Sequence, residues 1–192
     1  MDWKKVWAGK IWTAEQSVQP SGIVFEKITR SPGVRIMFIK EGMVLLSQEK
    51  RRELNGKIDH RLPGGKVFDK NEAYRDFIAS KENILDKARY AAVKEALEEV
   101  GMIVEPSAFT FVSTDVLGAT CSWDLIYFVC EIFEENNGGA QFHGTEAEEI
   151  QGHGWYTLID ACRLAFDRDQ FSESRSAMAL ISYAASKGVI GI

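Results

Sequence analysis

The sequence predicts a layered domain of the α/β (α+β) class, on three observations. Short runs of β-branched and aromatic residues are interspersed with helical stretches. Turn-forming breaks such as SPGV and KEGM separate the first runs, as expected of antiparallel hairpins. The chain has 192 residues with 45% hydrophobic content, enough to bury one core, and no internal repeat or linker divides it. One domain over 1–192 is the expectation.

Strands are predicted first at 6–12, 22–29, 34–40 and 43–47, where Val, Ile, Phe and Trp concentrate. After RLPGGKVFD comes a short helix, Asn71–Ser80, with Tyr74, Phe77 and Ile78 on one face. A second helix is expected over 87–100, with Asp86 as N-cap and Gly101 as a left-handed stop. Strands resume at 109–114 and 123–133, broken by the polar loop LGATCS. The stretch EENNGGAQFHGTEAEE reads as a loop leading to a short strand at GWY. Two closing helices are expected, Leu158–Phe166 and 172–186.

A net charge of -5 argues against a non-specific binder of nucleic acid or of a membrane surface, because the positive footprint those roles need is missing. Charged substrates would have to be handled locally. No run of about 18 apolar residues is present to span a membrane, and MDWKKVWAGKIW lacks the apolar core of a signal peptide. A cytoplasmic protein is therefore expected. Cys121, Cys130 and Cys162 have no metal-ligand spacing and read as reduced packing residues.

The second helix is charged the wrong way round. Helix dipoles favour acids in the first turn and bases in the last, by about 0.3 to 1 kcal/mol each. Here Lys87 and Arg89 stand at the start, and Glu95, Glu98 and Glu99 at the end. At 100° per residue, Ala88, Ala91, Ala92 and the three glutamates share one face; Tyr90, Val93, Leu97 and Val100 share the other, the expected core side. Like charges three and four residues apart repel by a few tenths of a kcal/mol, so a positive group should sit there. Carboxylates grouped without histidine or cysteine suit a hard cation, Mg²⁺ or Mn²⁺. The plain alternative is a solvated acidic face.

Upstream, LPGG at 62–65 is a tight turn where peptide groups can approach a ligand unobstructed. Glycine turn, spacer and the KEALEEVGM helix together resemble the Nudix hydrolase superfamily, whose box runs G-x5-E-x7-R-E-U-x-E-E-x-G-U with U aliphatic. Gly65 matches the opening glycine, Asp86 the first acid, Lys94 the arginine, and Glu95, Glu98, Glu99, Gly101 and Met102 the remainder. Asp86 and Lys94 depart from the motif, and a lysine is not equivalent to a guanidinium fork. Gly65 and Asp86 are 21 positions apart where the motif has six, so 66–85 is an insertion within the box.

The resemblance implies an α/β/α sandwich with a mixed sheet, preceded by extra N-terminal strands over 1–30. It implies metal-dependent cleavage of a nucleoside diphosphate derivative. Glu95, Glu98, Glu99 and the Gly64 carbonyl would be metal ligands, with Lys94 orienting the carboxylates. A catalytic base is expected in a later loop, where Glu146, Glu148 and Glu149 are candidates or else solvated charge. Arg51, Arg52 and Arg61, on the approach to the glycine turn, and Gly65 within it could grip the substrate's phosphates, with an exposed charged turn at EKRREL as the equal alternative. The N-terminal strands and the EEIQGHGWYTLIDACRLA ending resemble the ADP-ribose and nucleotide-sugar pyrophosphatase branch, in which such strands often serve a homodimer. Dinucleoside polyphosphates, nucleoside triphosphates and a non-catalytic nucleotide sensor stay open as alternatives.

Overall fold

The N-terminal strands β1 (Lys4–Ala8), β2 (Thr13–Val18) and β3 (Val24–Thr29) form an antiparallel meander. The SPGV segment, expected as a hairpin, instead carries the chain into a different sheet, because β3 pairs with β2 and with β9 (Cys121–Ser122) rather than with β4 (Gly33–Lys40). KEGM does form a hairpin. Glu41 and Gly42 both have positive φ, 53° and 75°, the backbone twist that suits a tight turn between β4 and β5 (Met43–Lys50). The computed structural model describes residues 2–80, 82–143 and 146–191, without the side chains of Glu53, Glu146 and Glu148.

Strand β5 then leaves β4. Only Ile39↔Val44 and Lys40↔Met43 pair, and further along β5 pairs with β6 (Ile58–Arg61). The glycine turn bridges the split, since Ile36 N–H donates to the Pro63 carbonyl and Val34 N–H to the Gly65 carbonyl, both at 2.9 Å. The sequence LPGG is thus held on the edge of a buried strand.

Next come α1 (Asn71–Ser80) and α2 (Ile84–Val100). The second helix starts earlier than expected. Asn83 Oδ1, not Asp86, accepts the capping hydrogen bond, from Leu85 N–H at 3.0 Å, and Asp86 lies in the first turn. Gly101 is the expected left-handed stop, with φ of 66°. Short β7 (Met102–Ile103) and β8 (Phe109–Asp115) precede β9; β10 (Leu125–Cys130) runs parallel to β4 and antiparallel to β8. After β11 (Glu134–Glu135), paired with β7, a short α3 (Glu146–Glu149) stands where a loop was expected. It leads into β12 (Ile150–Thr157), α4 (Leu158–Phe166) and α5 (Ser174–Ser186).

The main sheet has the order β12-β5-β4-β10-β8, with β6 on β5. Alternation along β4 sends Val34, Ile36 and Phe38 to one side, where Ala88, Ala92 and Ala96 of α2 pack. On the other side Met37 meets Leu158 and Ala161 of α4 and Leu180 of α5. These are the three layers expected. Each large apolar side chain fully buried here contributes about 1.5–3 kcal/mol.

The packed face of α2 is only in part the expected one: Val100 is buried and Val93 packs against the core as expected, but most of the buried residues come from the other face. Ala88, Ala91, Ala92, Glu95, Ala96, Glu98 and Glu99 are buried, while Tyr90 is 66% exposed. Alanine allows the helix to lie close to the sheet, so the small face goes inward and takes the glutamates with it. Among the described residues no helix is long and apolar enough to cross a membrane, and the three cysteines form no disulfide.

Candidate active site

The C-terminal end of α2, the glycine turn and the ends of β5 and β6 converge on one cleft. Its acidic part is lined by Glu49, Glu95, Glu99 and Glu149 together with Arg51, Gly65, Lys66, Asp69 and Lys94. It continues, past Glu49, Gly65 and Glu99, into a recess of about 190 Å³ bounded by Arg30, Arg35, Arg61 and Trp123.

Backbone approach explains the two glycines. Gly64 has φ of 142°, and a Cβ there would lie 2.2 Å from the Val34 carbonyl oxygen. A Cβ on Gly65 would lie 2.3 Å from Glu95 Oε1, so the carboxylate rests directly against the turn. Gly64 N–H donates to Glu99 Oε2 at 2.7 Å. Glu95, Glu98 and Glu99 are only 6%, 7% and 8% exposed. Burial, reinforced by Glu49 and Glu95, pushes the Glu99 carboxyl well above the ordinary carboxylate range.

Glu98 faces differently. It pairs with Lys94 Nζ through Oε2 and with His143 Nε2 through Oε1, each at 3.4 Å. Burial opposes the charge on Lys94, but Glu95 and Glu98 hold its pKa above normal. The expected Lys94 to Glu98 contact is therefore present.

The donor chemistry suits a hard cation. The acids are oxygen donors, two rest on the glycine turn, and burial beside Glu49 and Glu95 disfavours the charge of Glu99. As they stand, no three His, Cys, Asp or Glu side chains among the described residues close around one ion position. The Gly64 carbonyl accepts from Arg35 Nη1 at 2.7 Å, so a cation there would share that oxygen with a guanidinium.

Sequence reasoning missed several members. Glu49, 7% exposed on β5, has Oε1 accepting from Ser47 Oγ at 3.1 Å and Oε2 at 3.2 Å from Arg51 Nη1. Arg35 projects from β4 and binds Glu173 with two hydrogen bonds, Nε to Oε2 at 2.7 Å and Nη2 to Oε1 at 3.0 Å. Burial opposes the charge on Glu173, but the Arg35 guanidinium and hydrogen bonds from Arg35 and Ser176 hold its pKa at about 2. Asp59, fully buried, accepts from Ser172 N–H and Arg61 Nε at 2.7 Å. Two buried acids thus fasten the segment before α5 to the floor of the cleft. The only signal in the sequence was charge inside strand-like runs, VRIMF and IDHR.

Of the expected substrate residues, Arg51, Arg61 and Gly65 line the cleft, whereas Arg52 is exposed on the turn after β5 and does not. Glu149 lines it as well and lies 3.3 Å from Arg51 Nη1. The Glu146 and Glu148 side chains lie outside the described ones.

No family model and no curated protein matches the sequence. Solved structures do match the fold. The chain is similar to a structure described as an ADP compounds hydrolase, at 18% identity and a TM-score of 0.66, over 99% of this chain and 95% of that one. It is also similar to a MutT NUDIX hydrolase from Burkholderia pseudomallei, at 20% identity and a TM-score of 0.51, over 78% of this chain and 95% of that one. The mixed sheet between helical layers, with its glycine turn facing the end of α2, is the fold of the Nudix hydrolases.

Proposed function

We propose that this protein is a metal-dependent Nudix pyrophosphohydrolase that cleaves the diphosphate of ADP-ribose or a nucleotide sugar, giving a nucleoside monophosphate and a phosphorylated product. The observation that carries the reading is the cleft itself, a floor of Glu49, Glu95 and Glu99 beside a glycine turn, faced by Arg51, Arg61 and Lys66. Such a site suits a ligand bringing both metal and phosphate charge. The ADP compounds named for one structural neighbour agree with an adenosine diphosphate derivative.

Glu95 and Glu99 would hold Mg²⁺ or Mn²⁺, with Glu98, steadied by Lys94, as a further ligand or water-orienting group. The ion, when bound, would neutralise the diphosphate and make water a better nucleophile. Arg51, Arg61 and Lys66 orient the phosphates by charge-assisted hydrogen bonds. Glu149 is the candidate proton acceptor for attacking water, because its carboxylate lines the cleft and Arg51 holds it there. Glu146 and Glu148 share its short helix. The exposed Val6, Trp7, Val18, Val24 and Phe25 on the N-terminal sheet favour a homodimer that covers them.

The test is product analysis with ADP-ribose, nucleotide sugars, dinucleoside polyphosphates and nucleoside triphosphates, in Mg²⁺ or Mn²⁺ and in chelator. AMP and ribose 5-phosphate from ADP-ribose, only with metal, supports the reading. Nucleotide binding without any cleavage would favour a sensor domain instead.

A further inference from the structure

Arg30, just after β3, differs from the other guanidiniums that bound the cleft. Arg35 is paired with Glu173, Arg61 with Asp59, and Arg51 with Glu49 and Glu149. Among the described residues Arg30 makes no ion pair, and its Nε is buried without a hydrogen-bond acceptor. Its plane is held by aromatic contacts, 4.3 Å from the Trp123 ring centroid and 5.0 Å from that of Trp12, two rings that themselves meet edge to face at 6.0 Å. Burial, with Arg35 and Arg175 nearby, makes its charge harder to keep and lowers its pKa. A guanidinium in a cleft without a carboxylate partner keeps its charge available to an anionic ligand.

The recess that Arg30 lines also contains Gly65, Lys66, Arg61 and Glu99, and a guanidinium edge is a two-point donor for an oxyanion. We infer that Arg30 is a substrate-contacting residue whose guanidinium receives a phosphate oxygen of a diphosphate-containing ligand, with Trp12 and Trp123 fixing the guanidinium plane. This rests on the reading of the cleft as a diphosphate site. It gives the N-terminal sheet a part in recognition, because Arg30 reaches the recess from the end of β3.

The test uses inorganic pyrophosphate with Mg²⁺, titrated calorimetrically into the full chain so that binding is read without turnover. Arg30→Met is expected to weaken binding about 10- to 100-fold, and Arg30→Lys, which keeps the charge but loses the fork, to fall between it and wild type. A role confined to bridging the two tryptophans would leave pyrophosphate affinity unchanged. Binding by folded Arg30→Met within twofold of wild type, or no binding by wild type, overturns the inference.

Should Arg30→Met not fold, phenylglyoxal labelling of wild type with peptide mapping gives the answer. Arg30 protected by saturating pyrophosphate supports the contact, and unchanged labelling refutes it. Arg30-dependent binding alongside no cleavage of any diphosphate would sink the hydrolase reading and leave this contact standing.

Discussion

Replacing Glu173 by glutamine removes one charge from a pair whose side chains are each only 9% exposed. The carboxyl is held from 4.5 down to about 2, and at about 1.4 kcal/mol per pH unit that depression is worth roughly 3 kcal/mol. Breaking a buried pair from one side costs about 3–5 kcal/mol, since the partner is left charged and uncompensated. Glutamine keeps an acceptor for Arg35, so a loss of about 3 kcal/mol is expected at pH 7. In a chain of this length that lowers Tm by roughly 6–12 °C.

The sign in pH follows from linkage. A depressed acid contributes its full stability above its unfolded value and loses it as pH falls from about 4.5 toward 2. Urea melts of wild type and Glu173→Gln should therefore converge at acid pH. The double variant Arg35→Met with Glu173→Leu should recover most of the loss, because well-packed apolar residues can replace a buried pair. A single variant within 1 kcal/mol of wild type at pH 7, or a gap that does not narrow on acidification, would refute the reasoning.

Glu99→Gln should stabilise the metal-free protein at neutral pH, because burial, Glu49 and Glu95 raise the Glu99 pKa. An acid whose folded pKa is raised costs stability as pH climbs above its unfolded value, so the Tm advantage should vanish below about pH 4.5. Scanning calorimetry from pH 4 to 8 in chelator checks both. Gly64→Ala places a methyl against the Val34 carbonyl at a backbone angle that favours glycine, and should cost about 1–3 kcal/mol with a steep loss of turnover, read by denaturant melts and by rate. Lys66→Met, on an exposed side chain lining the cleft, should raise KM for a diphosphate substrate about tenfold and leave Tm within 1 °C of wild type.

Much of the fold was legible because periodicity and turn chemistry are local. The bounds of α1 and α4 and the Gly101 stop came directly from them. What failed depended on partners distant in sequence. The polar strand β2 was missed because its TAEQSV side chains look solvated until β1 and β3 flank it. The packed face of α2 was misjudged in part because hydrophobicity pointed to Tyr90, whereas close approach to β4 selected the alanines alongside Val93 and Val100. Glu95 and Glu99 were found from a helix charged against its dipole, a fault visible in one dimension. Arg35 and Glu173 lie 138 residues apart, and neither is anomalous until the sheet brings them together. Asp86 was read as a cap because it and Asn83, three residues earlier, carry the same capping chemistry, and only the fold shows that the turn from Ile84 is already helical.

The central claim is that the glutamates crowded at the end of α2 serve diphosphate cleavage with a bound metal. Its most direct test is ADP-ribose turnover by wild type and Glu99→Gln across a Mg²⁺ titration, with products identified and folding checked. The account predicts metal-dependent release of AMP and ribose 5-phosphate by wild type and a loss of roughly a hundredfold or more in the variant at saturating Mg²⁺. Equal rates in the two proteins, or wild-type cleavage that persists in chelator, would contradict it.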